Sequence, residues 1–411
     1  MIERILSSVA RRRNRSLFRL ESTSSFRPSV PQRPTVLYVH VPFCEELCPY
    51  CSFHRLPFRE EAARAYFECL RKEIVLYHRL GYRFTAVYVG GGTPTILIDE
   101  LGRTVELVRS LFKIRELSIE TNPNHLTEDR VEALLTMGTD RLSVGVQSFD
   151  DSTLKAVRRL HKYGSGREVA ERLLAVKGRF NTLNVDMIFN FPFQTDSMLQ
   201  HDLETLLSLG IDQVTYYPLM VSTLTIKEIE KSMGKMDYQK ERIFYEAIRK
   251  ALSPFYEQRT VWCFSRKHGL IDEYVVNFDD YVGVGSGSIG YVDGTTFANT
   301  FNVNRYMDMV KGGELPIVAK RTFSLRERLL YDLFMRLFGL RASLEDLEKK
   351  YGFPITARIL PEILFFRLSG AIRRNGRELV LTQKGNYLVL VFMREFFTAV
   401  NNFRDFLRTN R

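Results

Sequence analysis

Cys44, Cys48 and Cys51 stand in the run Tyr38-Val-His-Val-Pro-Phe-Cys44-Glu-Glu-Leu-Cys48-Pro-Tyr-Cys51. Their spacing, three residues and then two, puts three thiolates on one short loop directly after the β-branched run 35–41. A [4Fe–4S] cubane is normally held by four thiolates, so three leave one iron open to a small molecule. An open iron of this kind can chelate the amino and carboxylate groups of S-adenosylmethionine (SAM). An electron from the cluster then cleaves a C–S bond and gives a 5′-deoxyadenosyl radical. Two other readings stay open: a chance spacing, and a structural zinc site, which takes four Cys or His ligands and to which His40 or His54 could contribute. Five cysteines in 411 residues are sparse and odd in number, and no secretory signal is visible, which argues against a disulfide framework. Cys69 and Cys263 read as ordinary buried cysteines.

Other polar residues recur where strands should end. Gly90-Gly91-Gly92-Thr93-Pro94-Thr95 follows the second strand-like run. Glycines let backbone approach a ligand closely, and unpaired C=O and N–H groups there can hold an ammonium or a carboxylate. Alone the cluster would be a turn; beside the cysteine loop it marks where the methionyl amine of a cluster-bound SAM would lie. Glu120 ends the third run and Gln147 the fourth, Arg159 and His161 open the next helical connection, and Asp186 sits near the end of the fifth. Each taken singly is a helix cap or turn former. On one rim, five such groups suit ribose hydroxyls and a methionine carboxylate, with the planar fork of Arg159 as the carboxylate partner.

The elements that would carry these groups alternate. Strand-like runs at 36–41, 86–89, 116–121, 141–147, 182–188 and 213–219 are separated by amphipathic stretches at 60–79, 100–111, 127–137, 165–177 and 197–209. Six βα repeats predict a parallel sheet with helices outside, curled by right-handed crossovers into a partial (β/α)₆ barrel. Reacting groups then belong at the carboxyl ends of the strands. Beyond Leu219 a helix is expected over 240–253, a strand over 260–264 and a tight glycine-rich bend over 281–288. From about Ser324 the chain reads as helical, with a hairpin of 378–381 and 388–391 about the turn Gln383–Asn386. The expected organisation is a basic arm (1–34), a barrel core (35–222), a barrel extension (223–320) and a C-terminal helical, winged-helix-like domain (321–411).

With 45% hydrophobic residues the chain can bury a large core and a satellite, and no apolar run approaches the roughly 20 residues of a membrane span. Residues 1–34 hold eight Arg and two Glu, a net +6 of the total +11, so the remainder is only mildly basic and does not call for nucleic acid. In the arm, Ile2, Ile5, Leu6 and Val9 keep helical spacing ahead of Arg11-Arg12-Arg13-Asn-Arg15. Such an arm reads as a solvated tail, as a helix resting on an anionic membrane surface, or as a transit peptide. The stripe Val389, Phe392, Met393, Phe396, Val400, Phe403 and Leu407 keeps helical spacing and reads chiefly as core packing.

Several separated motifs, in order, resemble the radical SAM family of oxygen-independent coproporphyrinogen III oxidase and its relatives. They are Tyr38-Val-His-Val-Pro-Phe-Cys44, Gly90-Gly-Gly-Thr-Pro-Thr95, Gly145-Val-Gln147-Ser-Phe, Arg159-Leu-His161, Asp186-Met-Ile, Pro192-Phe-Gln194-Thr, Tyr281-Val-Gly-Val-Gly285 and Asp293-Gly294. The resemblance covers roughly residues 35 to 310. It implies that Cys44, Cys48 and Cys51 ligate a [4Fe–4S] cluster and that Tyr38, Tyr50, Gly91 and Glu120 hold the cluster-bound SAM. It leaves room for a second SAM held by Gly92, Thr93, Gln147, Arg159, Asp186 and, by a looser alignment, Met220. The departures are specific. The oxidases typically carry a fourth cysteine where Phe53 stands, the family's glycine in Asp-Leu-Ile-x-Gly is Asn190, and the His-Asn-x-x-Tyr-Trp of the haem-chaperone branch is matched by Ile271-Asp-Glu-Tyr-Val-Val276.

The resemblance therefore implies a radical SAM oxidoreductase of porphyrin biosynthesis. Its radical would abstract hydrogen from an organic, porphyrinogen-like substrate, whose propionate then loses CO₂ to give a vinyl group. A radical methyltransferase using two SAM molecules on an aromatic or quinone carbon is the second expectation, and a haem-trafficking chaperone the third. The expected partners are a small-molecule substrate and a flavodoxin- or ferredoxin-type electron donor, with no nucleic acid. The expected location is cytoplasmic, with peripheral contact to an anionic membrane if the basic arm acts as an anchor.

Overall fold

The computed structural model describes residues 2–269, 271 and 274–409, without the side chains of 2–5 and 13–16. Six strands, β1 (Thr35–Val41), β2 (Phe84–Gly91), β3 (Glu116–Thr121), β4 (Arg141–Gln147), β5 (Thr182–Phe189) and β6 (Gln213–Pro218), lie side by side in chain order and all parallel. Their side chains are almost all buried, as expected for a parallel sheet covered on both faces. The intervening helices Glu60–Arg79, Ile98–Leu111, Glu128–Thr136, Gly166–Val176 and Asp196–Leu209 fall within two residues of the expected bounds. Gly166–Val176 shows why: Ser165 accepts from the Glu168 N–H, and the Glu168 carboxylate accepts from the Ser165 N–H, so two donors of the first turn are satisfied.

The barrel stays open, and its sheet continues at both edges. On the β1 side Asp280–Val284 runs parallel to β1, followed by antiparallel Ile289–Val292, Thr295–Asn299, Ile317–Thr322 and Glu21–Ser22. Beyond β6 come antiparallel Cys263–Ser265 and Glu257–Gln258. The stretch expected as one glycine-rich bend therefore divides. Its first half is a buried strand, and the turn is confined to Gly285–Ser288. Asp293 and Gly294, at φ +47° and +79°, make the two-residue turn of the next hairpin, where both positions must be left-handed. Asn190, standing where the family pattern has glycine, also adopts φ +68°. Asparagine is among the side chains that tolerate this region, so the backbone conformation survives the exchange.

Toward the C-terminus, helices Leu325–Phe338, Leu344–Tyr351 and Leu360–Leu368 pack with a small sheet of Arg341–Ser343, Ile372–Asn375 and Glu378–Leu381. The hairpin expected about Gln383–Asn386 is not formed. Glu378–Leu381 instead pairs with Ile372–Asn375, and Leu388–Val391 lies inside one long helix, Gln383–Thr409. A four-residue apolar run has no period of its own, and here the helical stripe governs. Val389, Phe392, Met393, Val400 and Phe403 of that stripe are buried. Gly385 serves packing rather than a turn, since a Cβ there would lie 1.9 Å from the Ala371 carbonyl oxygen.

The basic arm begins with a helix, Ile2–Leu17, laid against this final helix. Leu6 and Ala10 are buried, while Ser7 Oγ and Arg11 Nε donate to the Glu395 carboxylate at 2.8 and 2.7 Å. The described part of its apolar face is thus inside the fold, which gives no support to the membrane-surface reading. Val9 and Arg12 are exposed; Ile2, Ile5, Arg13 and Arg15 have side chains outside the described set. Among the described residues no helix is long and apolar enough to cross a membrane.

Candidate active site

One cavity of about 390 Å³ opens at the carboxyl ends of β1–β6, within the usual range for a ligand site. Cys44, Cys48, Cys51, Tyr38, Tyr50, Gly91, Gly92, Thr93, Glu120, Gln147, Arg159, Asp186 and Met220 all line it. His161 does not; it is exposed on the short helix Leu160–Tyr163.

The cysteine loop leaves β1 at Val41 and is clipped shut at its base. Leu56 N–H donates to Pro42 O and Phe58 N–H to Cys44 O, at 2.6 and 2.8 Å. Arg55 closes it from inside, with Nη2 donating to the carbonyls of Cys48 and Cys51 at 2.6 and 2.5 Å and Nε to that of Cys51 at 3.1 Å. Cys44 is buried against Gly92, where a Cβ would sit 2.9 Å from its sulfur and 2.6 Å from the Phe43 carbonyl oxygen. Only glycine allows that approach.

Burial, and then the neighbouring Cys51, push the Cys44 thiol up to about 12; burial also raises Cys51. Three thiols in so dry a wall ionise together only with a cation among them, which is what iron–thiolate ligation supplies. Among the described residues no three His, Cys, Asp or Glu converge on a single ion position. The sulfurs share a wall instead, as ligands of a cluster would.

The histidines weighed as further ligands are engaged elsewhere. His40 Nε2 donates to the His54 carbonyl at 2.9 Å, so Nδ1 is the acceptor for Tyr38 Oη, also at 2.9 Å. Burial lowers its pKa to about 4, which keeps it neutral. His54 is buried and pairs through Nε2 with Ser286 Oγ at 3.2 Å.

The glycine run acts differently from the expectation. The N–H groups of Gly91, Gly92 and Thr93 already donate within the chain, to Glu120 Oε2 (3.1 Å), Val41 O (2.8 Å) and Phe43 O (2.8 Å). They fix the cysteine loop to β2 rather than waiting for a ligand. Glu120 also accepts from Tyr88 Oη at 2.8 Å, and Asp186 accepts from Ser143 Oγ and Asn184 Nδ2, both at 2.8 Å. Two carboxylates are thereby held rigid at the cavity wall.

Gln147 sits at φ +76° on an irregularity in the β4–β5 ladder, a strained conformation costing about 1–3 kcal/mol that aims its side chain at the rim. Arg159 is buried, donates to Gly145 O and to Asn122 Oδ1 (3.1 Å), and reaches Cys48 Sγ at 3.6 Å. Burial works against its charge, but Tyr50, Cys48 and Tyr163 outweigh this and its pKa is raised. Its Nε is buried without a hydrogen-bond partner among the described residues.

Three features escaped the sequence reading. Arg55 stood unremarked four residues after the last cysteine. Arg404, on the final helix, reaches the cavity from the far end of the chain. The remaining wall is aromatic: Tyr217, Trp262, Tyr274, Tyr281, Tyr291 and Tyr331 come from five separate elements and loops. The repeated Tyr–Tyr ring contacts of this wall could have been sought in the Tyr-rich stretch 274–291, but no local spacing links it to 404.

The family model described as the radical SAM superfamily matches residues 38–206. Heme chaperone HemW of Bacillus subtilis (strain 168) is 27% identical over 375 residues, spanning 85% of this chain and 96% of that protein. Oxygen-independent coproporphyrinogen III oxidase of Helicobacter pylori (strain ATCC 700392 / 26695) is 25% identical over 397 residues, spanning 88% and 86%. In fold, the chain is similar to the coproporphyrinogen III oxidase HemN of Escherichia coli, with a TM-score of 0.75 at 21% identity over 89% of this chain and 90% of that one.

Proposed function

From a chain that belongs to the radical SAM family of oxygen-independent coproporphyrinogen III oxidase and its relatives, we infer an enzyme that uses Cys44, Cys48 and Cys51 to hold the family's [4Fe–4S] cluster beside SAM. When bound and reduced, this pair supplies a 5′-deoxyadenosyl radical that takes a hydrogen atom from an organic substrate. Everything else falls to the chain. Gly92 admits the Cys44 sulfur, and Arg55 holds the loop in one conformation while placing positive charge beside the thiolates. Arg159 adds a second cation at Cys48. Glu120 offers a fixed carboxylate to an ammonium, and Asp186 and Gln147 offer acceptors and an amide to ribose hydroxyls. The aromatic wall excludes water from the space where a radical would meet its substrate. The observation that carries the reading is the meeting of three thiols, two braced carboxylates and a buried guanidinium at one cavity.

For the substrate we propose a carboxylate-bearing, porphyrinogen-like molecule. A second reading, haem delivery, is favoured by the relatives named heme chaperone HemW. The stretch matched to that branch's His-Asn-x-x-Tyr-Trp contains neither His nor Trp, which weighs against it. Anaerobically reconstituted protein with SAM and dithionite should release 5′-deoxyadenosine and consume coproporphyrinogen III. Tight haem binding without SAM cleavage would favour delivery. S-adenosylhomocysteine as the product would point to methyl transfer.

A further inference from the structure

Arg404 projects from the final helix into the cavity, half-buried, between the cysteine loop and the tyrosine wall. Its guanidinium stacks over the ring of Phe53 at 4.6 Å, and Nη1 donates to Asn401 Oδ1 at 3.0 Å. Asn401 is itself fixed, donating from Nδ2 to Met220 O at 3.1 Å. Among the described residues no carboxylate pairs with Arg404, and its other N–H donors have no partner. Of the acids lining the cavity, Glu120 and Asp186 are already braced, as described above. The groups acting on Arg404 are the Tyr38, Tyr274 and Tyr281 phenols and the Cys51 thiol, none of them a carboxylate. Burial accordingly lowers its pKa, whereas Arg159 and Arg394, which have polar or acidic partners, are raised.

A desolvated guanidinium lacking an acid in an aromatic pocket is arranged for an anion brought by the ligand. The surfaces beside it are flat. Tyr38 and Tyr274 stack at 6.1 Å with 26° between planes, and Tyr281 meets Tyr274 edge-on at 5.4 Å. We propose that Arg404, set by Asn401 and Phe53, is the seat for a carboxylate on the edge of a flat, conjugated ligand lying against the tyrosine wall. The proposal rests on the functional reading above and narrows its substrate class to tetrapyrroles with carboxylate arms. The position that carries a fourth cysteine in the oxidases would here serve instead as the stacking platform for the anion-binding arginine.

Trp262 is the chain's single tryptophan and lines the same cavity, so its fluorescence reports binding directly. The probes are coproporphyrin III and its tetramethyl ester, titrated anaerobically into the cluster-loaded full chain. Arg404→Gln should weaken the acid about ten- to a hundredfold and scarcely change the ester, with Arg404→Lys in between. Crossing variant against ligand cancels differences in ring solubility. Equal effects of Arg404→Gln on acid and ester, or none on either, would overturn the proposal. The other source of a carboxylate is the methionyl group of a second SAM. A calorimetric SAM titration that loses one equivalent in Arg404→Gln would assign the seat to SAM and overturn the tetrapyrrole assignment, whereas an unchanged titration supports it. Wild-type protein that cleaves SAM but shows no acid-specific effect refutes only the seat; failure to cleave SAM refutes the functional reading.

Discussion

Gly92→Ala is the smallest change that reaches the cysteine loop. Its Cβ would lie 2.9 Å from the Cys44 sulfur and 2.6 Å from the Phe43 carbonyl oxygen. Comfortable contact begins near roughly 3.5 Å, so the sulfur must yield by about 0.6 Å or the carbonyl by about 0.9 Å. The carbonyl is restrained by the Thr93 N–H at 2.8 Å, and Thr93 Oγ1 in turn lies 3.8 Å from the sulfur. Forcing a methyl into such a site costs about 1–3 kcal/mol, and the displacement falls on a ligand atom. Gly102→Ala is the matched control. It lies inside the helix Ile98–Leu111, where its Cβ meets only the flexible Met137 methyl at 3.3 Å. Alanine there should gain about 0.5–1 kcal/mol from helix propensity. Both variants would be reconstituted anaerobically and assayed for iron, for the paramagnetic signal of the reduced cluster, and for thermal stability. Gly102→Ala should carry full iron and melt at or above the wild type. Gly92→Ala should keep its circular dichroism and lose iron or alter the signal. Full iron with an unchanged signal in Gly92→Ala would refute the claim that close approach at this glycine builds the site.

Two further outcomes follow from buried carboxylates. Burial pushes Asp202 up to about 7 from 3.8, against the Phe149 N–H and the Ser148 hydroxyl. The folded state therefore holds this proton more tightly than the unfolded chain does. The resulting stabilisation is complete below about pH 4 and is lost as pH rises to about 7. Asp202→Asn, which keeps an acceptor for Phe149, should flatten that part of the stability profile; parallel profiles in urea would contradict it. At the docked N-terminal helix, Arg11 is half-exposed while Glu395 is buried and shared by Ser7, Arg11 and Arg394. Arg11→Ala should cost no more than about 1 kcal/mol and Glu395→Ala roughly 3 kcal/mol, measured by denaturant titration. Equal costs would mean that the helix is not held through Glu395.

The barrel was legible because its strands are β-branched runs whose burial leaves few alternatives, and because each amphipathic helix carries its own period. The cysteines were legible through spacing alone. Glu120, Gln147, Arg159 and Asp186 could be collected because a parallel sheet brings all its strand ends to one rim. What they do there was harder to read. The glycine N–H groups proved to be committed to the chain, since Val41, Phe43 and Glu120 supply acceptors that no local pattern announces. The final hairpin failed because Leu388–Val391 is uniformly apolar, and only the length of the stripe around it decides for a helix. Arg404 lies more than 300 residues from the loop it faces, and the N-terminal helix meets a helix at the other end of the chain. Such pairings are set by tertiary packing, which composition and period do not encode.

The central claim is that Cys44, Cys48 and Cys51, and no other cysteines, hold an iron–sulfur cluster open to SAM. Each of the five cysteines would be replaced by alanine in turn, with iron counted and the paramagnetic spectrum recorded before and after SAM is added. The wild type, Cys69→Ala and Cys263→Ala should carry about four irons and a signal that SAM shifts. Cys44→Ala, Cys48→Ala and Cys51→Ala should lose both. A tightly held zinc persisting in all five variants, or a cluster signal indifferent to SAM, would contradict the account.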